Sequence, residues 1–181
     1  LDLASRVGFT GLSIGQLAEH TGMSKSGLFA HFRSKEQLQL QTLAHARQRF
    51  IDTTVRPTLA VTRGEKRVRE LFERWLAWET EVLPGGCIFL TGAIEYDDQP
   101  GPMRDAIARE QRDWLDVIAT VTQAAVDEGD FRDDLDPRQF AYELLSLTLG
   151  FQHLARLLDD DHARERAQDG FEALLDRARA R

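Results

Sequence analysis

The chain has 181 residues, of which 42% are hydrophobic and 29% charged, and its formal net charge is −7. That is enough apolar material for one large core or two small ones. Its single cysteine, Cys87, excludes an intrachain disulfide framework and fits a reducing cytoplasm. With only 5 prolines, 13 glycines and no long alternating pattern, the chain reads as almost wholly helical. The most apolar run, Leu144 to Ala155, is too short to cross a bilayer and is interrupted by Gln152 and His153.

Charge is unevenly distributed. Residues 1–49 carry six Lys/Arg against three acids, whereas the remainder carries 17 basic and 27 acidic residues. A basic head on an acidic body confines any nucleic-acid footprint to one end. Leu1 to Val7, LDLASRV, reads as the closing turns of a first helix whose start lies outside the sequence, with Gly8 as its stop.

The stretch Ser13 to Phe32, SIGQLAEHTGMSKSGLFAHF, predicts two short helices and a tight turn. Ser13 is a good N-cap, with Ile14, Leu17 and Ala18 at helical spacing behind it. Gly22 suits a left-handed position in the turn, and Ser24 caps a second helix with Leu28 and Phe32 on its inner face. In a helix-turn-helix the second helix reads bases in the major groove from its N-terminal end. Ser24, Lys25, Ser26 and Gly27 are short or cationic there, so Lys25 can meet a guanine edge or a phosphate and the serines either bases or phosphates. His31 and Lys35 follow as candidate backbone anchors. An ordinary helical hairpin with a solvated polar face is the competing reading of the same pattern.

The residue order LSIGQLAEHTGMSKSGLFAHFRSKEQLQLQTL resembles the DNA-binding domain of the TetR family of transcriptional regulators, over about Leu1 to Leu43. The resemblance implies phosphate contacts near Ser13 and Lys35, and groove contacts from Ser24, Lys25, Ser26 and His31. Phe29 departs from it, standing where the family often has a phosphate-binding tyrosine.

The body reads as a helical bundle. Ser34 caps a helix to about Thr54, and Pro57 marks its exit. A second runs from Glu65 to Leu83, with Val68, Leu71, Phe72, Trp75, Leu76, Val82 and Leu83 as its apolar stripe and Trp78 flanking it. After Pro84-Gly85-Gly86 come a short helix from Cys87 to Tyr96, a long one from Met103 to Glu128, one from Pro137 to Asp160 and a last from Ala163 to Arg179. The helix ending at Asp160 is apolar nearly all round, which in a small protein calls for a second subunit, with Leu147 or Leu154 as candidate contacts. A two-fold dimer also doubles the contacts to a palindromic operator. The resemblance implies a homodimer in which 103–128 and 137–160 form a four-helix bundle.

No P-loop, dinucleotide fingerprint, HExxH or nucleophile elbow is present, so neither an enzyme nor a cofactor is expected. The histidines are scattered and none has metal-ligand spacing with Cys87; no metal is expected. The acid-rich run Asp127 to Asp136 fails the EF-hand pattern and reads as a solvated loop. Phe72, Trp75, Trp78, Phe89, Trp114 and Phe151 lie on several helices, with Tyr96, His153 and Glu95 as possible polar handles. Each aromatic singly fits core filling, but the resemblance implies an effector cavity in this region.

The expected architecture is therefore all-α. Residues 1–45 would form a three-helix helix-turn-helix DNA-binding domain, and 46–181 a C-terminal helical-bundle domain for ligand binding and dimerisation. The expected function is a cytoplasmic, ligand-responsive repressor, homodimeric on double-stranded operator DNA and released by a small, largely apolar effector. The alternative is a helical small-molecule-binding or enzyme-like domain whose helix-turn-helix segment is structural.

Overall fold

The computed structural model describes residues 1–180. Its elements are α-helices; the described residues contain no strand, only an isolated antiparallel bridge between Phe131 and Arg179. In chain order they are α1 (Asp2–Gly11), α2 (Ile14–Thr21), α3 (Lys25–Phe32), α4 (Lys35–Phe50), α5 (Arg56–Ala60), α6 (Glu65–Ala77), α7 (Ile88–Tyr96), α8 (Pro102–Asp127), α9 (Pro137–Arg156) and α10 (Ala163–Ala178). The chain forms two compact units, Leu1–Ile51 with Thr80–Gln111, and Asp52–Glu79 with Arg112–Arg181.

One helix end differs from the periodic reading. The helix after Ser34 does not stop near Thr54; α4 passes through a π-helical turn, Ile51–Val55, into α5. Proline has no N–H, so Pro57 cannot bond the Thr53 carbonyl four residues back, and its ring crowds that carbonyl. A wider turn relieves the crowding, and the Thr53 oxygen accepts from Arg74 Nη1 at 3.3 Å. Helix α6 ends in a second π-helical turn, Trp78–Val82. At the N-terminus, Gly8 leaves the helical region with φ of 71° and ψ of 174°, so the first run of helix stops there as read, and α1 resumes beyond the kink as a short turn ending at Gly11.

In the first unit, α1 packs on α7 because two glycines permit close approach. A Cβ at Gly92 would meet the Phe9 ring at 3.0 Å and Ile107 at 3.1 Å. At Gly85 it would lie 1.9 Å from the Ser5 carbonyl oxygen, and the Gly85 N–H donates to Ser5 Oγ at 3.0 Å.

In the second unit, Phe72 of α6 stacks on Phe171 of α10 with centroids 4.0 Å apart, and Phe131 packs beside Phe140 at 5.7 Å. The Arg179 guanidinium forks onto Glu65 through Nε at 2.9 Å and Nη2 at 2.8 Å, while Arg69 Nε adds 2.8 Å. The hydrogen bond from Arg179, above all, holds the Glu65 carboxyl below the usual range. The acid-rich loop divides its carboxylates among structural tasks. Asp130 accepts from the Glu65 N–H at 2.8 Å, Asp136 caps α9 through the N–H groups of Arg138 and Gln139, and Asp127 and Glu128 pair with Arg63.

Gly85→Ala should be costly, because the added methyl meets backbone that cannot step aside. The expected loss is about 2–3 kcal/mol, read as a fall in melting temperature of roughly 5–10 °C for a chain of this size. A melting temperature within a degree of the parent's would show that α1 is not held this closely.

Candidate functional site

Helices α2 and α3 are built by their caps. Ser13 Oγ accepts from the Gln16 N–H at 3.2 Å and Ser24 Oγ from the Gly27 N–H at 3.1 Å. Gly22, with φ of 68°, makes the turn between them. Leu28 is the one fully buried side chain of α3, so the helix rests on that residue and leaves Lys25, Ser26, Phe29 and His31 open to solvent. Every residue from Glu19 to Gly27 is exposed. Lys35, at the start of α4, donates from Nζ to the Thr10 carbonyl at 2.5 Å. Its ammonium thus sits at the C-terminal end of α1, where a cation is favoured.

A carboxylate from α7 holds α1 in place. Glu95 accepts from the N–H groups of Phe9 at 2.8 Å and Thr10 at 3.3 Å, and from Thr10 Oγ1 at 2.7 Å. Gln39 Nε2 donates to the Phe9 carbonyl at 2.5 Å. Glu95 is therefore engaged with the backbone and the Thr10 hydroxyl of α1. Tyr96 is half-buried at the same place; burial first, then the Glu95 charge, raises its phenol pKa, against a hydrogen bond with Gln39.

The aromatic residues separate into groups. Phe89 belongs to the first unit, its ring edge-on to Phe50 at 5.6 Å. In the second unit Phe72 is committed to Phe171, and Phe151 is buried on α9. Trp75 and Trp78 are fully buried, and Trp75 meets Trp114 edge to face at 4.9 Å. His153 lies instead on the exposed side of α9 with Tyr142, Ser146, Leu149, Gly150 and Leu157. Of the two proposed subunit contacts, Leu147 turns toward α10, since a Cβ at Gly170 would meet its Cδ2 at 2.6 Å, and Leu154 is half-buried.

Comparison with known proteins decides the family. Residues 1–42 match the family described as bacterial regulatory proteins, tetR family, and residues 64–171 match the tetracyclin repressor-like C-terminal domain. The chain belongs to the TetR family. Among solved structures, a TetR-family transcriptional regulator from Cytophaga hutchinsonii superposes with a TM-score of 0.85 at 18% identity, covering 99% of this chain and 90% of that one. A TetR regulator from Chloroflexus aurantiacus gives 0.79 at 26% identity, covering 97% and 87%. AibR, solved in complex with isovaleryl coenzyme A and operator DNA, gives 0.73 at 20% identity, covering 97% and 93%. No curated protein sequence matches. This TetR-family chain is thus a transcription regulator with a helix-turn-helix DNA-binding head and a ligand-binding domain. Among its described residues no helix is long and apolar enough to cross a membrane, and no group of three or more His, Cys, Asp or Glu could hold a metal.

One residue of the TetR body escapes the sequence reading. Glu79, one turn beyond Trp75 and next to Trp78, is 1% exposed, and neither of its carboxyl oxygens has a hydrogen-bond partner. The signal was a charge within an apolar stripe. Burial alone pushes its carboxyl up to about 8 from 4.5. Between those values the folded protein holds a proton that the unfolded chain has released, so stability falls as pH rises from about 4.5 to about 8. The full effect is on the order of 5 kcal/mol. Glu79→Gln should therefore melt well above the parent at pH 8.5, the difference closing toward pH 5. Melting curves that stay parallel across this range would show that Glu79 is solvated.

Proposed function

We propose that this protein is a cytoplasmic repressor that binds a palindromic operator as a homodimer and leaves it when a small, largely apolar effector occupies the body. Residues 1–45 act as the DNA-binding domain and 46–181 as the effector and dimerisation domain, with no catalysis and no cofactor. The observation that carries this reading is α3: a capped helix anchored by one buried leucine and presenting Lys25, Ser26 and His31 to solvent. Ser24, Lys25, Ser26 and His31 supply groove contacts, and Ser13 and Lys35 approach phosphates. Exposed Phe29 offers the groove an apolar ring in place of a tyrosine hydroxyl.

The outer stripe of α9 supports dimerisation, since Tyr142, Leu149 and Leu157 are large apolar side chains left exposed on one helix face. The structure of AibR shows one protein of this fold holding both an acyl-coenzyme A and operator DNA. For an effector to release DNA here, it must bind the non-binding conformation more tightly than the binding one. Phe72, Trp75, Trp78, Phe89, Tyr96, Trp114, Phe151 and His153 are the effector-contact candidates, of which Trp75 and Trp114 already meet.

The test is a mobility-shift assay on DNA upstream of the protein's own gene. The parent should give a sequence-specific shift, and Lys25→Ala should weaken it by about 1–3 kcal/mol if Lys25 reads a base. Lys35→Ala should weaken specific and non-specific binding alike and reduce the salt slope by about one unit. Sedimentation at micromolar concentration should show a dimer. Unchanged binding by both variants across a salt series would reject the groove assignment, and a monomeric parent would reject the two-fold operator.

A further inference from the structure

The buried carboxyl group of Glu79 has no role in the packing just described. Its two oxygens lie out of solvent with no donor, and Gln152 on α9, in the same unit, has its buried side-chain oxygen equally without a partner. Buried acceptors are normally satisfied, and an ionised carboxylate left alone in the interior carries a large desolvation cost. Two tryptophans flank it in sequence, Trp75 one helical turn before it and Trp78 its neighbour, and both are fully buried; Trp75 in turn meets Trp114 edge to face at 4.9 Å. The backbone here is a π-helical turn, Trp78–Val82, a rare conformation that occurs often at functional sites.

We propose that Glu79 is the recognition group for an organic cation, an amine or quaternary ammonium whose charge meets the carboxylate and whose substituents lie against the tryptophan rings. This deepens the effector reading given above and rests on it. A neutral donor would satisfy one oxygen but could not stabilise the ionised form, whereas a cation offsets the desolvation of the carboxylate and is drawn to indole faces as well. An inorganic metal ion is a poor occupant, because no cluster of metal-ligating side chains exists among the described residues. Burial raises the carboxyl to about 8, so at neutral pH it is largely protonated and a cation binding there would displace the proton.

The experiment titrates the intact protein by calorimetry with 4-phenylbutyltrimethylammonium and with its uncharged isostere, in which carbon replaces the quaternary nitrogen. The parent should bind the cation at least tenfold more tightly, and Glu79→Gln, checked for folding by circular dichroism, should reduce that preference to less than threefold. Equal affinities in the parent, no binding of either probe, or a preference retained by Glu79→Gln would each overturn the proposal. Should Glu79→Gln fail to fold, the parent alone decides. Titrated at pH 7 in buffers of different ionisation enthalpy, it should release a proton with the cation and none with the isostere; absence of that release rejects the assignment. A parallel mobility-shift assay keeps the two readings apart. A sequence-specific shift that survives while the cation fails to bind leaves the regulator standing without this ligand class. Cation binding that never releases operator DNA leaves the site standing and rejects it as an effector site.

Discussion

The Glu95 carboxylate on the backbone of α1 is the contact on which the DNA-binding head depends. Gly8 leaves the helical region, so the residues after it begin what is in effect a new helical turn. Such a start exposes N–H groups that no carbonyl of the same helix can satisfy. Glu95 takes the N–H groups of Phe9 and Thr10 together with the Thr10 hydroxyl. Lys35 and Gln39 of α4 take the carbonyls of Thr10 and Phe9. The last turn of α1 is thereby fixed to α7 on one side and to α4 on the other. Helix α2 follows it after two residues and α3 follows α2 after three, so the presentation of Lys25 and Ser26 inherits the position of that turn.

The helix-turn-helix was legible in the sequence because everything that forms it is local. Ser13, Gly22 and Ser24 act within four residues of where they stand, and their caps and turn occur as their chemistry predicts. Elements resting on long-range partners were less legible. Glu95 could be placed on a helix beside Tyr96, but nothing in its own neighbourhood announces that a kink 86 residues earlier needs a carboxylate. Pro57 was read as a stop, since a proline interrupts the i→i−4 ladder. In the folded chain a widened turn and Arg74 absorb the interruption, and the helix goes on. Gly8 was read as a stop, and the helical geometry does break there, but nothing local showed that another turn follows at once.

The body shows the same division. Apolar periodicity located α6, α8, α9 and α10, and it marked Phe72 and Trp75 as inward-facing, which they are. It could not separate the aromatics by partner. Phe72 closes the core against Phe171, while Trp75, one helical turn before the buried Glu79, meets Trp114. A charged residue inside an apolar stripe is the feature that hydrophobic periodicity discards, which is why Glu79 passes unnoticed until its burial is seen.

Chain connectivity links these features without any further contact. Glu79 and Gly85 are six residues apart, and the π-helical turn Trp78–Val82 occupies most of that interval. Gly85 is held against the Ser5 carbonyl with no room for even a methyl group, and α7 beyond it carries Glu95 to the kink of α1. A π-helical turn can lose its extra residue to ordinary helical geometry, so it offers two discrete lengths for one short segment. Interiors are packed too densely to deform smoothly, and a coupling element therefore needs discrete alternatives of this kind. On the proposed reading, a ligand at Glu79 would meet the segment at the end of α6 that has such an alternative.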